Sequence, residues 1–167
     1  MEAPNENEVR AAMDFIKQFC MENKLTVAVG ESVSSGLLQA LFSSEKEAGL
    51  FFEGGITTYS CKQKERHFGI PQEICDPCHG VSEEISQRIA LKTCDLFACK
   101  LALSLTGYAS PIPEENVQEL FAYGTVVLDG EVLYSGKIES GKNQPEEIRA
   151  EYANFIVVTC ARVLRDR

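Results

Sequence analysis

Chemistry enters the sequence at Gly30-Glu31-Ser32-Val33-Ser34-Ser35-Gly36, where Ser32, Ser34 and Ser35 crowd into one short polar stretch. The apolar run Leu25 to Val29 precedes it and Leu37-Leu38-Gln39-Ala40-Leu41-Phe42 follows. This is the pattern of a buried strand feeding a tight loop that opens a helix. Such a helix leaves its first N–H groups unpaired and facing the loop, which suits an anion or a polarised carbonyl. The spacing predicts that Ser34 or Ser35 caps the helix through its side-chain oxygen, leaving Ser32 free to act as a nucleophile. The plainer reading, in which all three serines are turn and cap residues, fits the stretch equally well. Because Gly30-Glu31-Ser32-Val33-Ser34 lacks the second glycine of the Gly-x-Ser-x-Gly elbow, a base for Ser32 has to come from elsewhere in the chain.

His67 and His79 are the only histidines, and neither is placed by sequence to pair with Ser32. A lysine remains, and a partly buried lysine loses its proton readily enough to activate a serine. Cys75-Asp76-Pro77-Cys78-His79 has the spacing of a c-type haem attachment, and Cys94 and Cys99 resemble the second half of a zinc site. Haem attachment requires export, and the acidic amino end Met1-Glu2-Ala3-Pro4-Asn5-Glu6-Asn7-Glu8 lacks a basic leader. On one helix Cys94 and Cys99 would stand roughly 140° apart around the axis and could not share an ion. The seven cysteines, an odd number, therefore read as small buried residues of a cytoplasmic protein, with no structural disulfide expected.

Elements must position this chemistry. The 167 residues, 44% hydrophobic, suit a single domain spanning 1–167. A net charge of -9 argues against nucleic acid, and no apolar run approaches membrane-spanning length. Val9, Met13, Ile16 and Cys20 recur at helical spacing and predict a helix over 7–23 packed on the sheet. A second strand over 50–59 contains Gly54-Gly55, the mark of a bulge or of backbone approaching a ligand. Ser60 caps a short helix that Gly69 and Pro71 end, and Ser82 caps a longer one reaching Lys100. A strand over 101–105 then runs into Thr106-Gly107-Tyr108-Ala109-Ser110-Pro111. Asp129-Gly130 predicts a two-residue hairpin, and Pro145 opens a long final helix. The sum is an α/β fold, a single three-layer α/β/α domain with a mixed sheet including a C-terminal β-hairpin. The Ser32 loop, the Tyr59 segment and the Thr106 loop should share one crevice at the carboxyl ends of the strands.

At this point a resemblance becomes specific. Glu31-Ser32-Val33-Ser34-Ser35-Gly36 resembles the Glu-Ser-Cys-Thr-Gly-Gly motif of the CinA C-terminal domain family, the nicotinamide-nucleotide amidohydrolases. Phe52-Glu53-Gly54-Gly55-Ile56-Thr57-Thr58-Tyr59-Ser60, with Lys64 and Gly69, is similar to that family's glycine-pair, Tyr-Ser and lysine segment. His79-Gly80-Val81-Ser82, Thr106 to Pro111, Gly124-Thr125-Val126 and Ile148-Arg149 match later family motifs in the same order, so the resemblance covers nearly the whole chain.

It implies a metal-independent, cofactor-free amidohydrolase that converts nicotinamide mononucleotide into nicotinic acid mononucleotide and ammonia. Carried over by the resemblance, Ser32 is the nucleophile, Lys64 its base and Tyr59 a hydroxyl partner. Ser34, Ser35, Gly36, Gly55, Thr106, Gly107 and Arg149 are the implied substrate-binding residues. The implied partner is a small-molecule nucleotide, with no nucleic acid or membrane, and self-association is left open. Ser35 departs from a family glycine, and Tyr108 and Ser110 alter the usual Thr-Gly-Ile-Ala-Gly-Pro loop, all on the substrate side. The alternatives are a non-catalytic nucleotide-binding or partner-binding relative, and a redox or metal module built on the cysteines.

Overall fold

Helix α1, Glu6–Asn23, begins at a capping box in the computed structural model, which describes residues 3–167. Met1 and Glu2, the start of the acidic amino end, lie outside the described residues. The Asn5 side chain accepts from the Glu8 N–H at 3.1 Å, and the Glu8 carboxylate accepts from the Asn5 N–H at 2.8 Å. The buried stripe Val9, Ala12, Met13, Ile16 and Cys20 packs chiefly against the final helix α6, Pro145–Arg165, rather than directly on the sheet.

The sheet comprises β1 Val27–Glu31, β2 Phe52–Thr57, β3 Leu101–Gly107, β4 Phe121–Leu128 and β5 Glu131–Glu139, in the order β2-β1-β3-β4-β5. β1 runs parallel to β2 and β3, while β4 is antiparallel to both its neighbours, β3 and β5, so the mixed sheet has the expected character. The hairpin turns at Asp129 (φ 51°) and Gly130 (φ 82°), both left-handed, as a two-residue turn matched to strand twist requires. In β2 the register jumps from Phe52 opposite Val27 to Gly54 opposite Ala28, which is the bulge that Gly54-Gly55 foretold.

Side chains alternate across a strand, and in β1 that alternation decides everything downstream. Val27, Val29 and Glu31 point to the layer of α1, α6 and α2 (Leu37–Ser43). Ala28 and Gly30 point the other way, towards α5 (Glu83–Phe97), where a Cβ on Gly30 would lie 2.4 Å from Thr93 Oγ1 and 2.6 Å from Ile89 Cγ2. That second layer also holds α3, Cys61–Phe68, and α4, Gln72–Cys75, around a small core of Phe68, Ile70, Cys75, Ile85 and Ile89. Each such fully buried aliphatic or aromatic side chain contributes roughly 1.5–3 kcal/mol. Among the described residues no helix is long and apolar enough to cross a membrane.

Two expectations about cysteine are corrected. Cys61 and Cys75 form a disulfide, with Cα atoms 5.6 Å apart. The turn at Gly69 and Pro71 folds α4 back along α3, so the last residue of one helix meets the first of the other, a proximity that cysteine spacing alone does not encode. Cys94 and Cys99 do not share a helix: α5 ends at Phe97, Ala98 adopts φ 51°, and the chain turns Cys99 back to hydrogen-bond with Cys94. That bond raises the Cys94 pKa and lowers that of Cys99.

Candidate active site

The ladder that pairs β1 with β3 extends one residue past the strand, with the Ser32 N–H donating to the Leu105 carbonyl at 2.9 Å. Ser32 thus follows the parity of Gly30 and faces the layer of α3. There Ser60 caps α3 by accepting from the Gln63 N–H, as expected, and one turn along the helix Lys64 points inward. Its Nζ lies 3.3 Å from Ser32 Oγ and donates to the Tyr59 carbonyl at 3.1 Å. Lys64 is 1% exposed and Ser32 7%. Burial pushes the Lys64 ammonium down from 10.5 to about 8, with the Cys78 thiol acting weakly in the opposite sense. Lys62 and Arg66, the other cations of α3, are exposed, and burial alone supplies the downward shift.

A cavity of about 540 Å³ opens over this pair. Ser32, Ser35, Tyr59, Lys64, Gly107 and Arg149 line it, together with Asp76, His79 and Tyr108. The crevice expected from three strand ends therefore exists. Tyr59, however, is 83% exposed, and its contact with Lys64 runs through its main-chain carbonyl, leaving the phenol at the mouth.

Four residues expected to bind substrate are not part of the cavity lining. Thr106 is fully buried and its hydroxyl donates to the Gly80 carbonyl at 2.6 Å, because strand parity turns it under the loop. Gly55 gives clearance to the protein itself, since a Cβ there would meet Gln39 Cγ at 2.4 Å and Val29 Cγ2 at 2.6 Å. Gly36, at φ 98°, has open space around it and serves the turn into α2. Ser34 is buried and donates to the Glu31 carboxylate at 2.5 Å.

That last contact corrects the helix cap. Neither Ser34 nor Ser35 caps α2, whose N-cap is Gly36 with no side-chain bond. Glu31, fully buried at the end of β1, accepts from the Leu38 N–H at 3.2 Å and the Gln39 N–H at 3.1 Å. The cap reaches the helix from seven residues upstream, beyond the window in which cap motifs are recognised. It also occupies N–H groups at the start of α2 that had been expected to face a ligand. The Val33 and Ser34 N–H groups, just after Ser32, have no hydrogen-bond partner among the described residues. Ser35 itself sits at φ 54°, which explains why a glycine suits that position in the motif.

Arg149 reaches the cavity from the first turns of α6, and its buried Nε has no hydrogen-bond partner among the described residues. A buried guanidinium donor left unpaired is costly, and Arg149 also lines the cavity, where its guanidinium can meet an anion. The haem-like motif is absorbed differently: Cys75 is in the disulfide, and the Cys78 thiol donates to the Ile74 and Cys75 carbonyls at 3.6 and 3.4 Å. Among the described residues no three His, Cys, Asp or Glu side chains converge as a metal site.

Comparison with known proteins bears on this geometry. A family model of the CinA C-terminal domain matches residues 9–161. A CinA-like protein of Chlorobium chlorochromatii is 32% identical over 140 residues, covering 81% of this chain and 33% of that protein. A CinA-like protein of Chlorobium phaeobacteroides is 28% identical over 143 residues, covering 86% of this chain and 31% of that one. The chain thus spans about a third of the length of these curated relatives. Among solved structures, a CinA superfamily protein from Enterobacter cloacae superposes with a TM-score of 0.88 at 17% identity, covering 98% of this chain and 96% of that one. A competence or damage-inducible protein from Enterobacter asburiae gives 0.86 at 17% identity, covering 93% and 98%.

Proposed function

The chain belongs to the CinA C-terminal domain family, and within it we propose a metal-independent amidohydrolase that deamidates nicotinamide mononucleotide to nicotinic acid mononucleotide and ammonia. The observation that carries the reading is Lys64 Nζ, buried and 3.3 Å from Ser32 Oγ, with its pKa lowered to about 8. Neutral Lys64 accepts the Ser32 proton as Oγ attacks the carboxamide carbon. The oxyanion that forms is met by the Val33 N–H group, which is unpaired among the described residues and belongs to a residue of the cavity wall. Protonated Lys64 then returns its proton to the departing ammonia, and water, deprotonated in turn by Lys64, hydrolyses the acyl-enzyme. Arg149 holds the phosphate through its guanidinium at the cavity wall. The Tyr59 ring, at the mouth, borders the path of entry.

Because the base works only when neutral, kcat/KM should rise with pH through about 8 and level off above it. The test is ammonia release from nicotinamide mononucleotide, set beside nicotinamide riboside and simple amides. Turnover confined to the phosphorylated substrate and lost in Ser32→Ala supports the reading. Tight nucleotide binding with no turnover at any pH would instead establish a binding relative of the family.

A further inference from the structure

The Cys61–Cys75 disulfide stands where it can govern the lysine. Cys61 is the first residue of α3, one turn before Lys64, and it lines the cavity. Cys75 is fully buried at the end of α4. Cys75 and Lys64 both come up to Gly80: a Cβ built there would lie 3.2 Å from Lys64 Cε, 3.3 Å from Lys64 Nζ and 3.3 Å from Cys75 Sγ. The amine and the sulfur therefore press on the same bare stretch of backbone. That backbone is itself held, with the Gly80 N–H donating to the Cys75 carbonyl at 2.9 Å and the Gly80 carbonyl accepting from Thr106.

Resting on the Ser32–Lys64 reading above, we infer that the Cys61–Cys75 pair is a thiol–disulfide control site for the active centre, open to a dithiol reductant through the cavity. Attack falls on Cys61 Sγ, the half-buried sulfur on the cavity wall, and not on Cys75, which is 0% exposed. The reductant's thiolate bonds to Cys61, the S–S bond breaks, and Cys75 leaves as a thiolate with the bonding electron pair. The reductant's second thiol then attacks the mixed disulfide, releasing Cys61 and leaving as an internal disulfide. Two electrons have passed to the cysteine pair; of the dithiol's two protons, one goes to Cys61 and the other to the Lys64 amine, which leaves Cys75 a thiolate.

Two consequences reach Lys64. The released Cys75 sulfur and the Lys64 amine flank the same residue, Gly80, and a negative charge on that buried sulfur favours the ammonium over the neutral amine that must take the Ser32 proton. The start of α3 also loses its tie to α4. The groups that face Lys64 are Ser32, the Tyr59 carbonyl, Cys75 and the Cys78 thiol, with Asp76 and His79 on the wall of the same cavity. None of these is a fixed cation that would oppose the new pair. The oxidised protein is the active form and the reduced protein the quiet one.

The experiment uses the full chain, oxidised or treated with dithiothreitol. Alkylation and mass measurement should count five free thiols before reduction and all seven after it. Reduction should lower ammonia release at least tenfold and reoxidation should restore it, while Cys61→Ala/Cys75→Ala responds to neither treatment. A second readout needs no turnover: acylation of Lys64 by an amine-selective reagent at pH 8 should slow at least threefold on reduction. Slower acylation in a protein that turns over no amide would sustain this inference and defeat the substrate proposed above. Seven thiols in the oxidised protein, or a full shift from five to seven with unchanged Lys64 acylation and turnover, would overturn it.

Discussion

Among the described residues an acid and a base, Glu31 and Lys64, are sunk into this protein on opposite faces of the sheet, and they are treated very differently. Glu31, on the α2 side, is fully buried and accepts three hydrogen bonds, from Ser34 Oγ and the N–H groups of Leu38 and Gln39. Lys64, on the α3 side, is as deeply buried and has, among the described residues, only the Ser32 hydroxyl at 3.3 Å and one carbonyl at 3.1 Å. A buried charge whose lone pairs are filled holds structure in place; one left short of partners gives up its charge and becomes reactive. The adjacent residues Glu31 and Ser32 divide these tasks because a strand sends neighbours to opposite faces.

The sharpest way to break the comparison is to remove the reactive side. Ser32→Ala and Lys64→Ala should each lower kcat by about 10³-fold or more, and the double change should cost little beyond either alone, because the two act as one unit. Single-turnover kinetics on the three variants checks this, and independent, multiplying losses would mean that the residues do not share a step.

Removing the structural side should show in stability. Glu31→Ala strands the Leu38 and Gln39 N–H groups and the Ser34 hydroxyl, at an expected cost of about 3 kcal/mol by urea denaturation. Glu31→Gln keeps an acceptor oxygen and should recover about half of that loss.

Lys64→Met sharpens the contrast, since it should abolish activity yet stabilise the fold. The folded-state pKa of Lys64 is depressed, so between about pH 8 and 10.5 the unfolded chain binds more protons and stability rises with pH. The full penalty stands below pH 8. The methionine variant should therefore be more stable at pH 7 by on the order of 2 kcal/mol, and the gain should fade by about pH 10.5.

The smallest effect is expected at Ser35→Gly, where relief of the left-handed φ of 54° should outweigh the added chain entropy by about 0.5 kcal/mol. Thermal unfolding measures it. An unchanged midpoint with faster turnover would place the role of the serine in the cavity, whose wall it forms.

What could be read from the sequence was what neighbouring residues decide. The Ser60 and Ser82 caps accept from the Gln63 and Ile85 N–H groups, and Asp129-Gly130 turns the hairpin, each within a window of a few residues. The pairing of Ser32 with Lys64 was legible only through the resemblance, because nothing local relates residues 32 apart. Glu31 as a cap was missed because a strand residue caps a helix beginning beyond an intervening loop. Thr106 and Gly55 were placed a layer too far out, since loop membership was visible but the face each presents was not. The disulfide depended on how two helices fold back, and an odd cysteine count argued the wrong way.

The alternation along β1 carries a consequence for how such a chain can diversify. Substitutions among Val27, Ala28 and Val29 are answered by local repacking, but inserting or deleting one residue there would exchange the faces of Glu31 and Ser32. The acid would then be delivered to the lysine and the hydroxyl to the helix start, losing the scaffold and the reactive centre in a single event. In related sequences, length changes should accumulate in the loops around β1, while the count from its first paired residue to the serine stays fixed.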